Sequence, residues 1–238
     1  MRPRTVASVV VIVIAIAVSA AIAPKPLGPA PVVVELFTSQ GCSSCPPADA
    51  LLSQLHNRRG VIPLGFHVDY WDHLGWRDAF SSRQWTQRQM MYVHSMHLES
   101  AYTPQAVVNG TRQLVGSNEP ALETAIEESS RRSVVGHVSL QASRNGNVIT
   151  ANVQADAPPA YDLVLAIFQD GVTTSIGGGE NSGRTQTENA IVRKIERVST
   201  GTTTIPIDPR WKDVGVAVFL QNRETLAIAN AAVTRLLP

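Results

Sequence analysis

A mixed α/β sheet with flanking helices, followed by a smaller all-β antiparallel domain, is the fold class that this sequence predicts, on three observations. Strand-length apolar runs alternate with helix-period segments through residues 31–133. Beyond about Gly136 strand patterns continue without helix periodicity. The only two cysteines, Cys42 and Cys45, fall between the first strand run and the first helical pattern.

The elements follow in order. Val32 to Thr38 is β-branched and aromatic, apolar almost throughout, as a strand buried on both faces requires. Ser39-Gln40-Gly41 is a turn, and Leu51, Leu52 and Leu55 mark a helix that opens on Pro46-Pro47 and ends near Arg58-Arg59-Gly60. Val61 to Val68 is a second strand, which calls for a right-handed crossover. Ser81 and Gln84 carry capping-box spacing for a helix running to about Ser95. Asn109-Gly110 between Gln105–Val108 and Thr111–Val115 is a hairpin signal. A third helix is expected after Ser117 and Asn118, with Leu122, Ala125 and Ile126 on one face. In the 134–238 domain, His137 to Ser143, Val148 to Ala155, Tyr161 to Gln169, Val214 to Gln221 and Leu226 to Leu236 read as strands. Ile191 to Val198 is a further strand candidate, and Thr173 to Thr187 reads as a long loop.

Composition narrows the function. The 238 residues carry 20 Lys and Arg against 19 Asp and Glu, a net charge of +1, so no field favours nucleic acid. A chain of this length buries about 70% of its unfolded surface, so it needs no disulfide in order to fold. Residues 1–23 have a basic start, an apolar run and small residues, the order of an export signal that is either cleaved or retained as an anchor by residues 6–23. Residues 24–30 are a Pro-rich spacer. The expected location is therefore periplasmic or secreted, with contact to membrane only through an uncleaved N-terminus. In such an oxidising compartment a lone cysteine pair can close a disulfide.

Cys42-Ser43-Ser44-Cys45 has the spacing of a redox pair. A thiolate at Cys42 would be stabilised by a helix N-terminus, and Cys45 stands close enough to resolve a mixed disulfide formed there. The alternative is an inert disulfide that stiffens a turn in a non-catalytic envelope binding module. Cys42, Cys45 and His67, among Asp69, Asp72, His73, His94 and His97, offer a weaker copper or zinc reading. Trp71, Trp76, Phe80 and Trp85 form either a client-binding wall or core filling.

The element order, the Cys42-x-x-Cys45 motif and Thr103-Pro104 before a hairpin resemble the thioredoxin superfamily. More closely, Glu35 to Pro47, His67-Val68-Asp69-Tyr70-Trp71-Asp72, Tyr102-Thr103-Pro104-Gln105, Asn109-Gly110 and Gly179-Glu180-Asn181 resemble a secreted bacterial family known as domain of unknown function twelve twenty-three. The resemblance implies thiol-disulfide exchange, with Cys42 as exposed nucleophile, Cys45 as buried resolving thiol and Pro104 in cis facing them. It implies that Thr103 and Pro104 hold an extended client, which Trp71 of the aromatic wall would also contact, and that Glu35 stands where a proton acceptor is often found. No cofactor is implied. The partners would be a thiol- or disulfide-containing protein client and a redox partner.

Overall fold

The computed structural model describes residues 31–236. The order is β1 (Val32–Thr38), α1 (Pro46–Leu55), β2 (Val61–His67), α2 (Arg83–Ser95), β3 (Gln105–Val108), β4 (Arg112–Val115), α3 (Glu119–Ser130), β5 (His137–Asn145), β6 (Val148–Asp156), β7 (Tyr161–Gln169), β8 (Val172–Ser175), β9 (Thr185–Glu188), β10 (Ile191–Val198), β11 (Gly201–Pro206), β12 (Val214–Asn222) and β13 (Ile228–Arg235). The expected leader 1–23 and spacer 24–30 lie outside the described residues. Among the described residues no helix is long and apolar enough to cross a membrane.

Among the described residues the fold is mainly β: a mixed eight-stranded sheet, three helices, a three-stranded antiparallel sheet and a two-stranded hairpin. The main sheet runs β13-β12-β7-β10-β2-β1-β3-β4. This departs from the expected division at 133/134, because β7, β10, β12 and β13 extend the sheet that begins with β1. The joint is β10 beside β2, parallel, pairing Ile191 with Gly65, and the Gly65 amide donates to the Ala190 carbonyl at 2.7 Å. Strands buried on both faces carry no mark of which neighbour they choose, so the sequence reads as two separate sheets.

Strand alternation sets the layers. On one side of the sheet Val32, Val34 and Leu36 of β1 pack under Ala48, Leu52 and Leu55 of α1 and Leu122, Ala125 and Ile126 of α3. Farther along that side, Leu163, Leu165 and Ile167 of β7 and Val216, Val218 and Leu220 of β12 meet the small sheet of β5, β6 and β11. On the opposite side Val33, Phe37, Leu64 and Phe66 pack with Trp85 and Tyr92 of α2, continuous with Phe168 and Phe219. Two local expectations shift. The N-cap of α2 is Ser82, one residue late, because the Ser81 hydroxyl donates to Asp72 instead. Residues 172–188 form the β8–β9 hairpin, whose strands Val-Thr-Thr-Ser and Thr-Gln-Thr-Glu lack the apolar period that marks a buried strand.

The Asn109-Gly110 turn forms as expected, both residues at positive φ. It also docks on the second half, where the Asn109 carbonyl accepts from Ile228 N, while its side chain fastens it to β1 by accepting from Val33 N at 2.8 Å. A Cβ on Gly110 would collide with the Leu226 carbonyl. Gly110→Ala should therefore lower the unfolding free energy by about 1–3 kcal/mol. An unchanged urea midpoint would show that the turn relaxes without disturbing residues 226–228.

Candidate functional site

The turn from β1 into α1 carries the Cys42–Cys45 disulfide, with S–S 2.12 Å and Cα–Cα 5.4 Å. Cys45, rather than Cys42, is the N-cap of α1, and its carbonyl accepts from Ala48 N and Asp49 N. Pro46 and Pro47 occupy the first two helical positions and remove two of the amides that a helix N-terminus normally leaves free. Cys42 sits one turn earlier, its own N–H donated to the Ser39 carbonyl. The helix-end amides expected to stabilise a Cys42 thiolate are thus largely absent. Both cysteines are 0% exposed, which corrects the expectation of an exposed Cys42; Ser43 and Ser44 carry the outer surface of the turn.

Side-chain donors take the place of those amides. The Thr103 hydroxyl donates to Cys42 Sγ at 3.3 Å, and Trp71 Nε1 donates to Thr103 Oγ1 at 2.9 Å. The indole occupies an acceptor site of the hydroxyl and leaves its proton aimed at sulfur. Ser44 Oγ is 3.4 Å from the same sulfur. The Thr103-Pro104 bond is cis, as expected, and Pro104 is buried. Gln89 of α2 holds this segment by donating to the Tyr102 carbonyl and to Gln105 Oε1. The structure therefore brings Thr103, Pro104 and Trp71 together beside Cys42. Of the other aromatics, Trp76 donates to Gln40 Oε1, Phe80 stacks edge-on to His67, and Trp85 packs in the core against Phe66.

A cap from the second half covers the turn. At the tip of the β8–β9 hairpin, Asn181 Nδ2 donates to the carbonyls of Gln40 (2.9 Å) and Cys42 (2.8 Å). Glu180 accepts from Ser43 N at 3.0 Å, and the Ser43 hydroxyl followed by this amide lowers its pKa from the ordinary value. The sequence offers Gly179-Glu180-Asn181 only as part of the resemblance; what these residues touch requires the tertiary fold.

Glu35 is not the acid beneath the cysteines. β1 alternation turns it to the α2 side, where it is fully buried and paired with Arg88 at 2.5 and 3.2 Å. Arg88 also reaches Gln221 of β12 and lies over the rings of Phe66, Tyr92 and Phe219. The pair is a charged clasp among α2, β1 and the second half.

The acids near the disulfide are others, to which sequence reasoning does not lead. Asp49 lies four residues after Cys45, on the same helical face one turn on. Its Oδ1 accepts from Thr38 at 2.6 Å, and Oδ2, shut off from solvent although the residue as a whole is half-buried, has no protein partner. Thr38, Asp49, His67 and Glu188 border a cavity of about 10 Å³. His67 Nδ1 is 2.7 Å from Asp78 and Nε2 is 3.5 Å from Glu188. Gln40 ties the group together, its amide N–H to Asp78 and its side chain to Glu188. The i to i+4 spacing from Cys45 is the only local signal for Asp49. Glu188 arrives on a strand distant in sequence.

Three buried carboxylates face one imidazole, so their ionisation cannot be independent. Burial, then repulsion from Glu188, raises Asp49 to about 8. Burial also holds Glu188 above its ordinary value. Burial opposes charge on His67, but the carboxylates of Asp78 and Glu188 outweigh it and raise the imidazole to about 9. Burial likewise opposes ionisation of Asp78, and His67 with two backbone amides reverses that and lowers it.

The copper or zinc grouping of Cys42, Cys45 and His67 does not form: the sulfurs are bonded to each other and His67 is taken by two carboxylates. Asp69 and Asp72 instead accept from Thr86 and Ser81, and His73, His94 and His97 are exposed. Among the described residues no three His, Cys, Asp or Glu side chains are placed to hold a metal ion.

A pH dependence follows. Between about pH 4 and 8 the unfolded chain has released the Asp49 proton that the folded chain still holds, so rising pH favours unfolding. The His67 contribution has the same sign: it is complete below the ordinary value of 6.5 and is lost as pH rises through about 9. Stability in urea should decline from about pH 6 to pH 9, and Asp49→Asn should flatten the decline. Equal slopes in parent and variant would mean that Asp49 is already ionised in the fold.

The comparisons with known proteins concern the whole arrangement. A crystal structure of protein AGR_C_4864 from Agrobacterium tumefaciens matches with TM-score 0.68 at 29% identity, covering 87% of this chain and 95% of that one. HBP35 of Porphyromonas gingivalis matches with TM-score 0.64 at 18% identity over 89% of this chain and 77% of that one, a likeness of fold alone. No curated protein matches. The pattern of the family described as "Protein of unknown function (DUF1223)" matches residues 33–221, and the chain belongs to that family.

Proposed function

We propose that this protein is an exported thiol-disulfide oxidoreductase, acting in an oxidising compartment on a protein or small-thiol client, with residues 31–133 as its thioredoxin-like part. The observation that carries the reading is the Thr103 hydroxyl directed at Cys42 Sγ and oriented by Trp71. A purely structural disulfide needs no donor on its sulfur, whereas a thiolate there does.

In the exchange, a client thiolate attacks Cys42 Sγ, the Cys42–Cys45 bond breaks, and Cys45 leaves as a thiolate that takes up a proton. A second client thiol, losing its proton, attacks the client sulfur in the mixed disulfide and expels Cys42 as a thiolate. The client gains a disulfide and loses two electrons, which the cysteine pair receives. The reverse sequence reduces a client disulfide, Cys42 attacking and Cys45 resolving. Asp49, one helical turn from Cys45 and protonated up to about pH 8, is the group that gives or takes the Cys45 proton. Because both sulfurs are buried, entry requires the Glu180-Asn181 cap to open.

Burial favours a second reading, a binding module whose disulfide is inert. A redox titration separates the two, since a potential below about −300 mV would make the pair resistant to compartment thiols and sink the exchange reading. Cys45→Ser is expected to trap client mixed disulfides through Cys42. In that background Thr103→Val should raise the Cys42 pKa, read as slower alkylation at fixed pH. Asn181→Ala should speed reduction of the parent disulfide by roughly tenfold, as expected for loss of hydrogen bonds worth about 1.4 kcal/mol. A trap that captures nothing, with reduction unchanged in Asn181→Ala, would favour the binding module.

A further inference from the structure

We propose that Met90, Met91 and His94 on the outer face of α2 form a binding site for copper(I), separate from the disulfide and independent of the exchange reading. The concentration of ligands is visible in the composition: three of the four methionines (Met90, Met91, Met96) and two of the six histidines (His94, His97) fall within residues 90–97. The structure then sorts them. Trp85, Arg88, Gln89, Tyr92 and Val93 turn inward, and Met96 packs against the core. Met90 and Met91 are left 47% and 46% exposed, beside an exposed His94. An amphipathic helix ordinarily places polar residues at such positions.

Their spacing makes them one cluster. His94 follows Met90 by four residues and Met91 by three, so each methionine Cβ lies about 5–6 Å from that of His94. Two thioethers on flexible stems and one imidazole can converge there, offering two sulfur ligands and one nitrogen. All three side chains line a single surface groove of about 420 Å³, whose far wall is Arg223, Glu224 and Leu226. The Arg223 guanidinium is drawn off by Asp162 and the Pro159 carbonyl, and Glu224 offers an offsetting negative charge.

Donor type selects the ion. Thioether sulfur is soft and neutral, a poor ligand for magnesium, calcium or zinc and a good one for copper(I).

The test uses the full chain with its disulfide intact, so that thiolates cannot supply the ligands. Copper(I), kept reduced by ascorbate, is titrated against the chromogenic chelator bicinchoninate. The parent should withdraw one equivalent, and Met90→Leu with Met91→Leu, or His94→Ala alone, should weaken retention by roughly tenfold to a hundredfold. Leucine keeps the volume and helix propensity at exposed positions, so the fold stays. As a second readout, stoichiometric silver(I) should move the ¹³C-methyl NMR signals of Met90 and Met91 and leave Met96 in place. Equal copper(I) retention in parent and double-Leu variant, no retention by the parent, or unmoved methyl signals would each overturn the proposal.

Discussion

The short parallel junction between β2 and β10 is the constraint on which the rest of the structure depends. At Gly65 the strand has no side chain, its amide reaches the Ala190 carbonyl, and Leu52 of α1 lies close on the helix side. Through this one contact the second half becomes a continuation of the first sheet rather than a neighbour. Sheet continuity then fixes where β9, β12 and the Asn109 turn dock. Those positions bring Glu188, Gln221 and residues 226–228 against the first half.

The capped turn and the buried acid group around the cysteines therefore each have two origins in the chain. The disulfide turn comes from the first half and its cap, Glu180 and Asn181, from the second. The buried acid group draws Asp49, His67 and Asp78 from one side and Glu188 from the other. On the opposite face of the sheet, the Glu35–Arg88 pair is completed by Gln221. Burying so many ionisable groups is unfavourable unless each finds a partner; here the pairs His67–Asp78 and Glu35–Arg88 form within the first half, and Glu188 and Gln221 complete them from across the β2–β10 joint. A protein built this way ties the condition of its disulfide to the integrity of the whole sheet.

That dual origin explains which parts of the site are legible in the sequence. The Cys42-x-x-Cys45 turn, Thr103-Pro104 and Trp71 lie in segments with strong local punctuation, and they do meet. Glu35 suggests itself through the resemblance, but strand period decides facing, and the odd positions of β1 turn away from α1. The exposed Cys42 is an expectation carried by the resemblance alone. The Asn181 cap, whose hairpin has no apolar alternation to announce it, hides that residue.

By itself the sequence determined the local pieces: strand runs, the Pro46-Pro47 helix start, the Asn109-Gly110 hairpin and the cysteine spacing. These are encoded in residues within a few positions of one another, through backbone preference and hydrophobic period. Only the tertiary structure decided that β10 would choose β2, that Asp49 rather than Glu35 would lie beside the disulfide turn, and that the turn would be covered. Pairing between strands apolar on both faces is settled by global packing, because any such strand offers the same unspecific edge to every candidate neighbour.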